Sequence, residues 1–259
     1  MVDARQAAYL QALGVDVYVP RSSPPWQDEM AAETAAPSVP AAPGPSPFVV
    51  ARTDEKALHP DIAANLGWDE LRAAVAGCQL CDLHATRTQT VFGVGNRQAR
   101  WMFIGEAPGA EEDRQGEPFV GRAGQLLTSM IRALGLRRED VFIANVLKCR
   151  PPDNRDPKPS EAASCRRYLE RQVALVNPTL VIAVGRIAAQ NLLATETPIA
   201  KLRGKVHSFG AQAWPVVVTY HPAYLLRSPG EKRKSWQDLL HARQLFGRLE
   251  QESASGGRA

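Results

Sequence analysis

Four short apolar segments, separated by helical patterns, constrain the fold of this chain more than any other feature. The segments are Trp101–Ile104, Val141–Val146, Thr179–Val184 and Pro215–Thr219. Runs of this length are typical of strands that are buried in a sheet. Helical patterns lie around them, at Trp68–Gly77, Ala123–Leu136, Ser160–Val176, Arg186–Leu193 and Lys232–Leu249. Strands that alternate with helices predict an α/β fold, with a mostly parallel sheet and helices on both of its faces.

The loop after the first predicted strand is rich in carboxylates. It reads GEAPGAEEDRQGEPFVGRAGQLL from Gly105 to Leu127, and Phe119 is its one aromatic residue. Its acidic residues are Glu106, Glu111, Glu112, Asp113 and Glu117. Ligands of open α/β sheets bind at the carboxyl ends of strands, so this loop is well placed to form a site. A solvated acidic loop anchored by one aromatic ring is the alternative.

The N-terminal quarter of the chain differs in composition from the rest. Residues 22–65 are rich in Ala, Pro, Ser and Glu, and nine prolines fall between Pro20 and Pro60. Such a segment has little apolar surface to bury and is predicted to be a disordered linker. Residues 1–21 predict a short docking helix, with a replication or repair protein as its partner. The folded domain is predicted at 66–250, followed by a disordered tail at 251–259.

The charge of the chain is distributed unevenly. Residues 1–66 carry four Lys and Arg against eight Asp and Glu, whereas residues 67–259 carry 27 against 19. A basic folded domain suits a polyanionic partner, although many enzymes of this size are equally basic. No apolar run has the length of a membrane span, and the N-terminus lacks a signal-peptide pattern. We therefore expect a cytoplasmic protein that does not bind membranes.

All four cysteines of the chain can belong to one metal site. Cys78 and Cys81 form a CxxC pair, whereas Cys149 and Cys165 lie sixteen positions apart. Disulfides are unusual in a cytoplasmic protein, so metal binding gains weight. Four thiolates hold either tetrahedral zinc or a 4Fe–4S cluster. The dispersed second pair is not a zinc knuckle and favours the cluster, while zinc and four unrelated buried thiols stay open.

Three further side chains follow strands that are predicted to end at one edge of the sheet. Phe119 can stack on a planar ring, and Asn145 offers a donor and an acceptor to the edge of a base. His221 can donate a hydrogen bond to a developing oxyanion. Each of them has an ordinary structural alternative, as core aromatic, loop cap or satisfied histidine. Their predicted convergence favours a functional site.

Four motifs carry a resemblance to a known family. GEAPG at 105–109, EPFVGRAGQLL at 117–127, NVLKCRPPDNRDPKP at 145–159 and HPAYLLR at 221–227 resemble the family 4, iron–sulfur, uracil-DNA glycosylases. The resemblance covers about residues 68–250. It implies a three-layer α/β/α sandwich on a central four-stranded sheet. It also implies a 4Fe–4S cluster on Cys78, Cys81, Cys149 and Cys165.

The resemblance further implies that the protein excises uracil from DNA and leaves an abasic site. The base would be flipped onto Phe119, read by Asn145, and released as His221 donates to uracil O2. Glu106 would position water or stabilise the positive sugar, and Glu112 would help to bind the substrate. We expect such an enzyme to be a nucleoid-associated monomer.

The resemblance also assigns the contacts to the DNA strand. Leu225 would be the wedge that enters the vacated stack, and Arg227 and Lys148 would contact phosphates. Ala107 is among the residues that the resemblance expects to bind the substrate. It stands where the family 1 enzymes carry a water-positioning Asp, so the general base is not assigned by motif; Glu106 is our hypothesis.

Two other classes of protein remain as alternatives. A related branch forms a covalent adduct through a histidine in an arginine-rich loop, but the segment from Lys201 to His207 lacks the consecutive basic run. A non-catalytic nucleic-acid-binding module would explain the cysteines and the charge, but not the placement of Phe119, Asn145 and His221. Phosphate-binding GxxxxGK[ST] and GxSxG hydrolase motifs do not occur.

Overall fold

A computed structural model of the protein describes residues 63–256, with side chains to residue 253. The predicted docking helix at 1–21 and nearly all of the predicted linker at 22–65 lie outside this range. Among the described residues, no helix is both long and apolar enough to cross a membrane.

The core of the structure is one sheet with the strand order β1-β3-β2-β4-β6-β5. Its strands are β1 Val94–Gly95, β2 Trp101–Gly105, β3 Phe142–Asn145, β4 Leu180–Val184, β5 Val206–Phe209 and β6 Trp214–Thr219. The four inner strands β3, β2, β4 and β6 are mutually parallel, and both edge strands pair antiparallel with their neighbours. The inner strands are the four that the sequence predicts.

The sheet is wider than the four strands predicted, because two edge strands carry no clear sequence signal. Strand β1 has only two residues, Val94 and Gly95. Strand β5 exposes Val206 and Ser208 and buries only Phe209. Neither segment contains a continuous apolar run, whereas every residue of β2 and β4 is buried.

Helices cover both faces of the sheet, so the predicted three-layer sandwich is confirmed. The helices are α1 Trp68–Ala76, α2 Ala110–Gln115, α3 Arg122–Ala133, α4 Pro159–Val176, α5 Arg186–Leu193, α6 Ile199–Leu202, α7 Pro222–Arg227 and α8 Lys232–Gly256. Alternate residues of β2 separate the two layers: Met102 and Ile104 pack toward α4 and α5, whereas Trp101 and Phe103 pack toward α3 and α8.

The described domain extends slightly beyond its predicted limits. At the start, Ala63 is fully buried in a small cluster with Leu71 and Val75 of α1. At the other end, α8 continues to Gly256, past the predicted end at Leu249. Residues 251–256 are therefore helical, although they were predicted to belong to a disordered tail.

Candidate active site

A cavity of about 780 Å³ opens at the carboxyl ends of the parallel strands. The loop after β2, the last residue of β3 and the loop after β6 all contribute to its wall. Six of the predicted site residues line it together: Glu106, Ala107, Glu112, Phe119, Asn145 and His221, with Arg227 at the rim. The position agrees with the rule that open α/β sheets bind ligands at this edge.

Phe119 forms an aromatic wall of the cavity in a constrained backbone conformation. Its φ is +56°, and its side chain is almost fully buried. The ring centroid lies 5.6 Å from that of His221. A Cβ on Gly124 would lie 1.8 Å from the Phe119 carbonyl oxygen, so only glycine lets helix α3 approach this turn.

Asn145 presents an unpaired hydrogen-bond acceptor to the cavity. The residue is 2 % exposed, and its Oδ1 atom has no hydrogen-bond partner among the residues that the structure describes. An unsatisfied buried acceptor costs on the order of 1–3 kcal/mol, which a ligand N–H group would recover. Gly105, opposite in the parallel pair, leaves the space for this amide: a Cβ there would lie 2.4 Å from Oδ1 and 2.6 Å from the Phe119 ring.

His221 is held as a neutral imidazole with a defined tautomer. It is the N-cap residue of α7, and its Nδ1 accepts a hydrogen bond from the backbone N–H of Ala223 at 3.2 Å. The proton of the neutral ring therefore resides on Nε2, which is a donor. Burial, together with the positive charge of Arg227, lowers the pKa of His221 to about 4, against the opposing effect of Glu112.

Glu106 is a carboxyl group with an unusually high proton affinity. Burial raises its pKa to about 7, the negative charge of Asp156 adds to the shift, and the cation of Arg186 opposes it. A carboxyl group that titrates near neutral pH is suited to accept a proton from water.

Glu112 shapes the site through the backbone. Its carboxylate accepts hydrogen bonds from the N–H groups of Gly109 at 3.1 Å, Val120 at 3.0 Å and Gly121 at 3.3 Å. These bonds tie the GEAPG loop to the turn that carries Phe119. We therefore assign Glu112 a positioning role in place of the substrate contact expected from the sequence.

Two of the side chains that were predicted to contact DNA are buried in the described domain. Leu225 is 1 % exposed and packs among the residues of α3 and α8, so it is not available as a wedge. Leu226, the next residue, is 37 % exposed. Lys148 is 1 % exposed, and its ammonium group donates to Asn145 O at 2.7 Å and to Gln172 Oε1 at 2.6 Å. It is enclosed by protein and cannot meet a phosphate.

Several residues of the cavity wall were not singled out from the sequence. Arg155, Asp156 and Arg186 line one side, where Arg186 pairs with Asp156 at 2.6 Å. Tyr220 and Tyr224 line the other, with ring centroids 5.1 Å apart. Four of these five lie within or beside the motifs at 145–159 and 221–227, so proximity to a motif could have identified them from the sequence.

His207 is separate from the cavity. It lies on β5, its Nε2 is 2.8 Å from the carbonyl oxygen of Leu202, and it is not among the residues that line the cavity. This placement gives no support to covalent trapping by a histidine of the Lys201–His207 segment.

The four cysteines lie on the α4 side of the sheet and influence one another. Burial raises the pKa values of Cys81 and Cys149, and that of Cys165 to about 12, and the neighbouring cysteines add to each shift. The Arg87 guanidinium donates to Cys149 Sγ at 3.1 Å and to the Cys78 carbonyl oxygen at 2.8 Å. Among the residues described, no group of three or more His, Cys, Asp or Glu side chains is arranged to hold a metal ion.

Comparisons with known proteins agree on one family. The model of the uracil DNA glycosylase superfamily matches residues 92–240. The type-4 uracil-DNA glycosylase of Archaeoglobus fulgidus is 46% identical over 188 residues, which cover 70% of this chain and 94% of the relative. That of Thermotoga maritima is 47% identical over 156 residues, covering 60% and 80%.

A more distant relative belongs to the neighbouring type. The type-5 uracil-DNA glycosylase of Thermus thermophilus is 35% identical over 119 residues, or 40% of this chain and 54% of the relative. The type-4 relatives thus match more of the chain, at higher identity. With the family model covering more than half of its length, the chain belongs to the uracil DNA glycosylase superfamily.

Proposed function

We propose that the protein is a type-4 uracil-DNA glycosylase, which hydrolyses the bond between uracil and deoxyribose in DNA and leaves an abasic site. One observation carries the proposal: the unpaired Asn145 Oδ1, the Phe119 ring and the neutral His221 ring line one cavity. Uracil has a flat ring, an imide N–H donor and a carbonyl oxygen that becomes negative on departure. The cavity offers a complementary group for each of these features.

The first task of the site is to hold the extruded base. A base must leave the duplex stack before an enzyme can reach its glycosidic bond, and unstacking costs a few kcal/mol. Stacking on Phe119 and a hydrogen bond from the imide N–H to Asn145 Oδ1 recover part of this cost. The amide is therefore the group that we expect to recognise uracil.

The second task is to stabilise the leaving group. When the bond between C1′ and N1 breaks, its electron pair moves into the base and negative charge builds on O2. A neutral His221 with its proton on Nε2 can donate to that oxygen. The imidazole is neutral when the bond breaks, because its cation is disfavoured in this environment, and it keeps its Nε2 proton, because an imidazolate is a much stronger base than the uracil anion.

The third task is to complete hydrolysis at the sugar. A water oxygen bonds to C1′ and must lose a proton. Glu106 is the one carboxyl group on the cavity wall whose pKa is raised to about 7, so its ionised form can take that proton or stabilise the positive sugar.

Contacts with the DNA strand are proposed at the cavity rim. Leu226 replaces Leu225 as the side chain that fills the vacated stack, because Leu226 is exposed and its neighbour is buried. Arg227, next along α7, lies at the rim and is exposed, as a phosphate contact requires.

We also propose that Cys78, Cys81, Cys149 and Cys165 hold a 4Fe–4S cluster. The Arg87 N–H group directed at Cys149 Sγ fits an anionic centre with thiolate ligands, because the guanidinium offsets negative charge on the sulfur. When bound, the cluster would cross-link α4 with the segments that follow α1 and β3.

Three expectations concern the protein in its cell. We propose that it acts as a monomer on uracil-containing DNA in the cytoplasm, associated with the nucleoid. We further propose that residues 1–21 recruit a replication or repair protein. Deleting these residues should abolish capture of that partner while uracil release persists.

The test of the function is single-turnover release of uracil from a labelled oligonucleotide, followed by alkaline cleavage at the abasic site. We expect cleavage at the uracil position, and we expect His221→Ala to slow it about 100- to 1,000-fold through loss of the donor to O2. Cleavage should be absent on a matched oligonucleotide with thymine. Absence of any cleavage by iron-loaded protein would refute the proposal, and an adduct stable to SDS would indicate covalent trapping instead.

A further inference from the structure

Lys148 is a buried basic residue without a carboxylate partner. It is 1 % exposed, and among the described residues no Asp or Glu forms an ion pair with it. Burying an ammonium group is expensive unless hydrogen bonds and nearby negative charge compensate for the lost water. The catalytic steps described above do not use this side chain, so its presence needs another explanation.

The hydrogen bonds of Lys148 connect the base-reading residue to the interior of the domain. Its Nζ donates to the backbone oxygen of Asn145 at 2.7 Å and to Gln172 Oε1 at 2.6 Å. Gln172 is fully buried on α4, and its own amide donates to the Phe92 carbonyl oxygen at 2.8 Å. A continuous chain of short hydrogen bonds thus runs from Asn145 through Lys148 to a fixed helix.

The side chain of Asn145 depends on such an anchor. Asn145 is the last residue of β3, and backbone hydrogen bonds continue past it, from the Val146 N–H to the Gly105 carbonyl oxygen at 2.9 Å and from the Leu147 N–H to the Glu106 carbonyl oxygen at 3.0 Å. These bonds leave the Asn145 carbonyl oxygen to the Lys148 ammonium. The Oδ1 atom of Asn145 has no hydrogen-bond partner among residues 63–256, so no hydrogen bond from that part of the chain fixes the amide oxygen. The direction of the amide therefore follows from the position of the backbone, which the ammonium holds at the carbonyl group.

Lys148 also borders the cysteine group, because it directly precedes Cys149 in the chain. The lysine thus lies between the cysteine group and the base-reading amide.

We propose that Lys148 is a positioning residue that acts through Asn145, by clamping the end of β3 so that the amide faces the uracil ring. The inference rests on the proposed glycosylase activity and deepens it. It predicts that the contribution of Lys148 to uracil recognition exists only when the Asn145 amide is present.

A double-mutant cycle with Lys148→Met and Asn145→Ala tests this directly. Methionine keeps most of the side-chain volume and removes the charge and the donors. In the wild-type background we expect Lys148→Met to slow single-turnover uracil release about 10- to 100-fold and to weaken inhibition by free uracil, as expected for a lost orienting contact. In the Asn145→Ala background the same substitution should change the rate less than about threefold, because coupled residues are not additive.

Control variants separate positioning from general stability. Asp113→Asn weakens another buried anchor, the carboxylate that accepts from the N–H of Thr88 and that is not among the residues lining the cavity. Its effect should be equal in both backgrounds. If Lys148→Met fails to fold, Gln172→Met removes the second acceptor of the ammonium together with the donor to the Phe92 carbonyl oxygen, and its smaller effect on uracil release should again vanish in the Asn145→Ala background.

The outcomes distinguish the two proposals. Wild-type protein that releases no uracil overturns the proposed function itself. Wild-type activity combined with equal losses from Lys148→Met in both backgrounds overturns only the positioning role and makes Lys148 a general structural residue. An unchanged rate and unchanged inhibition by free uracil in Lys148→Met would overturn it as well.

Discussion

The pH dependence of uracil release follows from the environment of Glu106. The pKa of this carboxyl group is raised to about 7, first by burial and then by the negative charge of Asp156. If the ionised carboxylate accepts the proton of water, the rate follows its fraction. That fraction is about one tenth at pH 6 and about nine tenths at pH 8, so the single-turnover rate should rise about tenfold across this interval.

Other titrating groups on the cavity wall should not imitate this profile. The pKa of His221 is lowered to about 4, so the imidazole stays neutral throughout the interval. The assay is single-turnover release of uracil from pH 5.5 to 9 at constant ionic strength, with Glu106→Gln beside the wild type. The variant should be slower and should lose the rise near pH 7. Wild-type rates in Glu106→Gln, or an unchanged rise in the variant, would refute this role for Glu106.

The remaining predictions concern space, insertion, the cysteines and stability. Gly105→Ala should reduce the rate of uracil release at least about 100-fold with little loss of folded protein, because the added Cβ would lie 2.4 Å from Asn145 Oδ1. The uracil-release assay measures the rate, and circular dichroism measures the folded fraction. Leu226→Ala should weaken excision from duplex more than from single-stranded DNA, whereas Leu225→Ala should lower the unfolding free energy by about 2–5 kcal/mol; equal effects on both DNA forms would contradict the wedge. Cys149→Ser should reduce the folded yield and the iron content, and a soluble, fully active, colourless variant would argue against the cluster. Glu106→Gln should raise the free energy of unfolding by about 1–2 kcal/mol at pH 8 and by much less at pH 4.5. The reason is that the pKa of Glu106 is higher in the folded protein than in the unfolded chain, so ionisation of this carboxyl group destabilises the fold as the pH rises. Thermal melts of the variant and the wild type at both pH values test this.

The layers of the fold were predictable because buried strands require apolar side chains, which are easily recognised in the sequence. The inner strands read as apolar runs since both of their faces are covered, and every residue of β2 and β4 is buried. The edge strands β1 and β5 escaped prediction for the opposite reason, since an exposed edge imposes no such pattern. The end of α8 was misplaced because its last turns are polar and small residues, which resemble a tail in sequence.

The site was predictable in composition but less so in orientation. Motifs placed Phe119, Asn145 and His221 at one sheet edge, and the structure brings them together. Burial of Lys148 and Leu225 was not readable, because the chain turns inward after β3 and α7 is only six residues long. In so short a helix, neighbouring residues differ in burial: Leu225 faces the core, whereas Leu226 is exposed to solvent.

The residues that form the cavity are locally unfavourable, and this limits prediction from pattern alone. Phe119 adopts a positive φ, the Asn145 acceptor is unpaired, and Glu106 is a half-buried acid. Each of these features costs free energy in the isolated domain, and each is of use only when a base and a water molecule are present. Propensity and periodicity describe what stabilises a fold, so they favour none of these features. Lys148 fits the same logic: a buried cation is a costly way to hold a strand end, and it is useful here because the strand end carries the Asn145 amide, which lines the cavity.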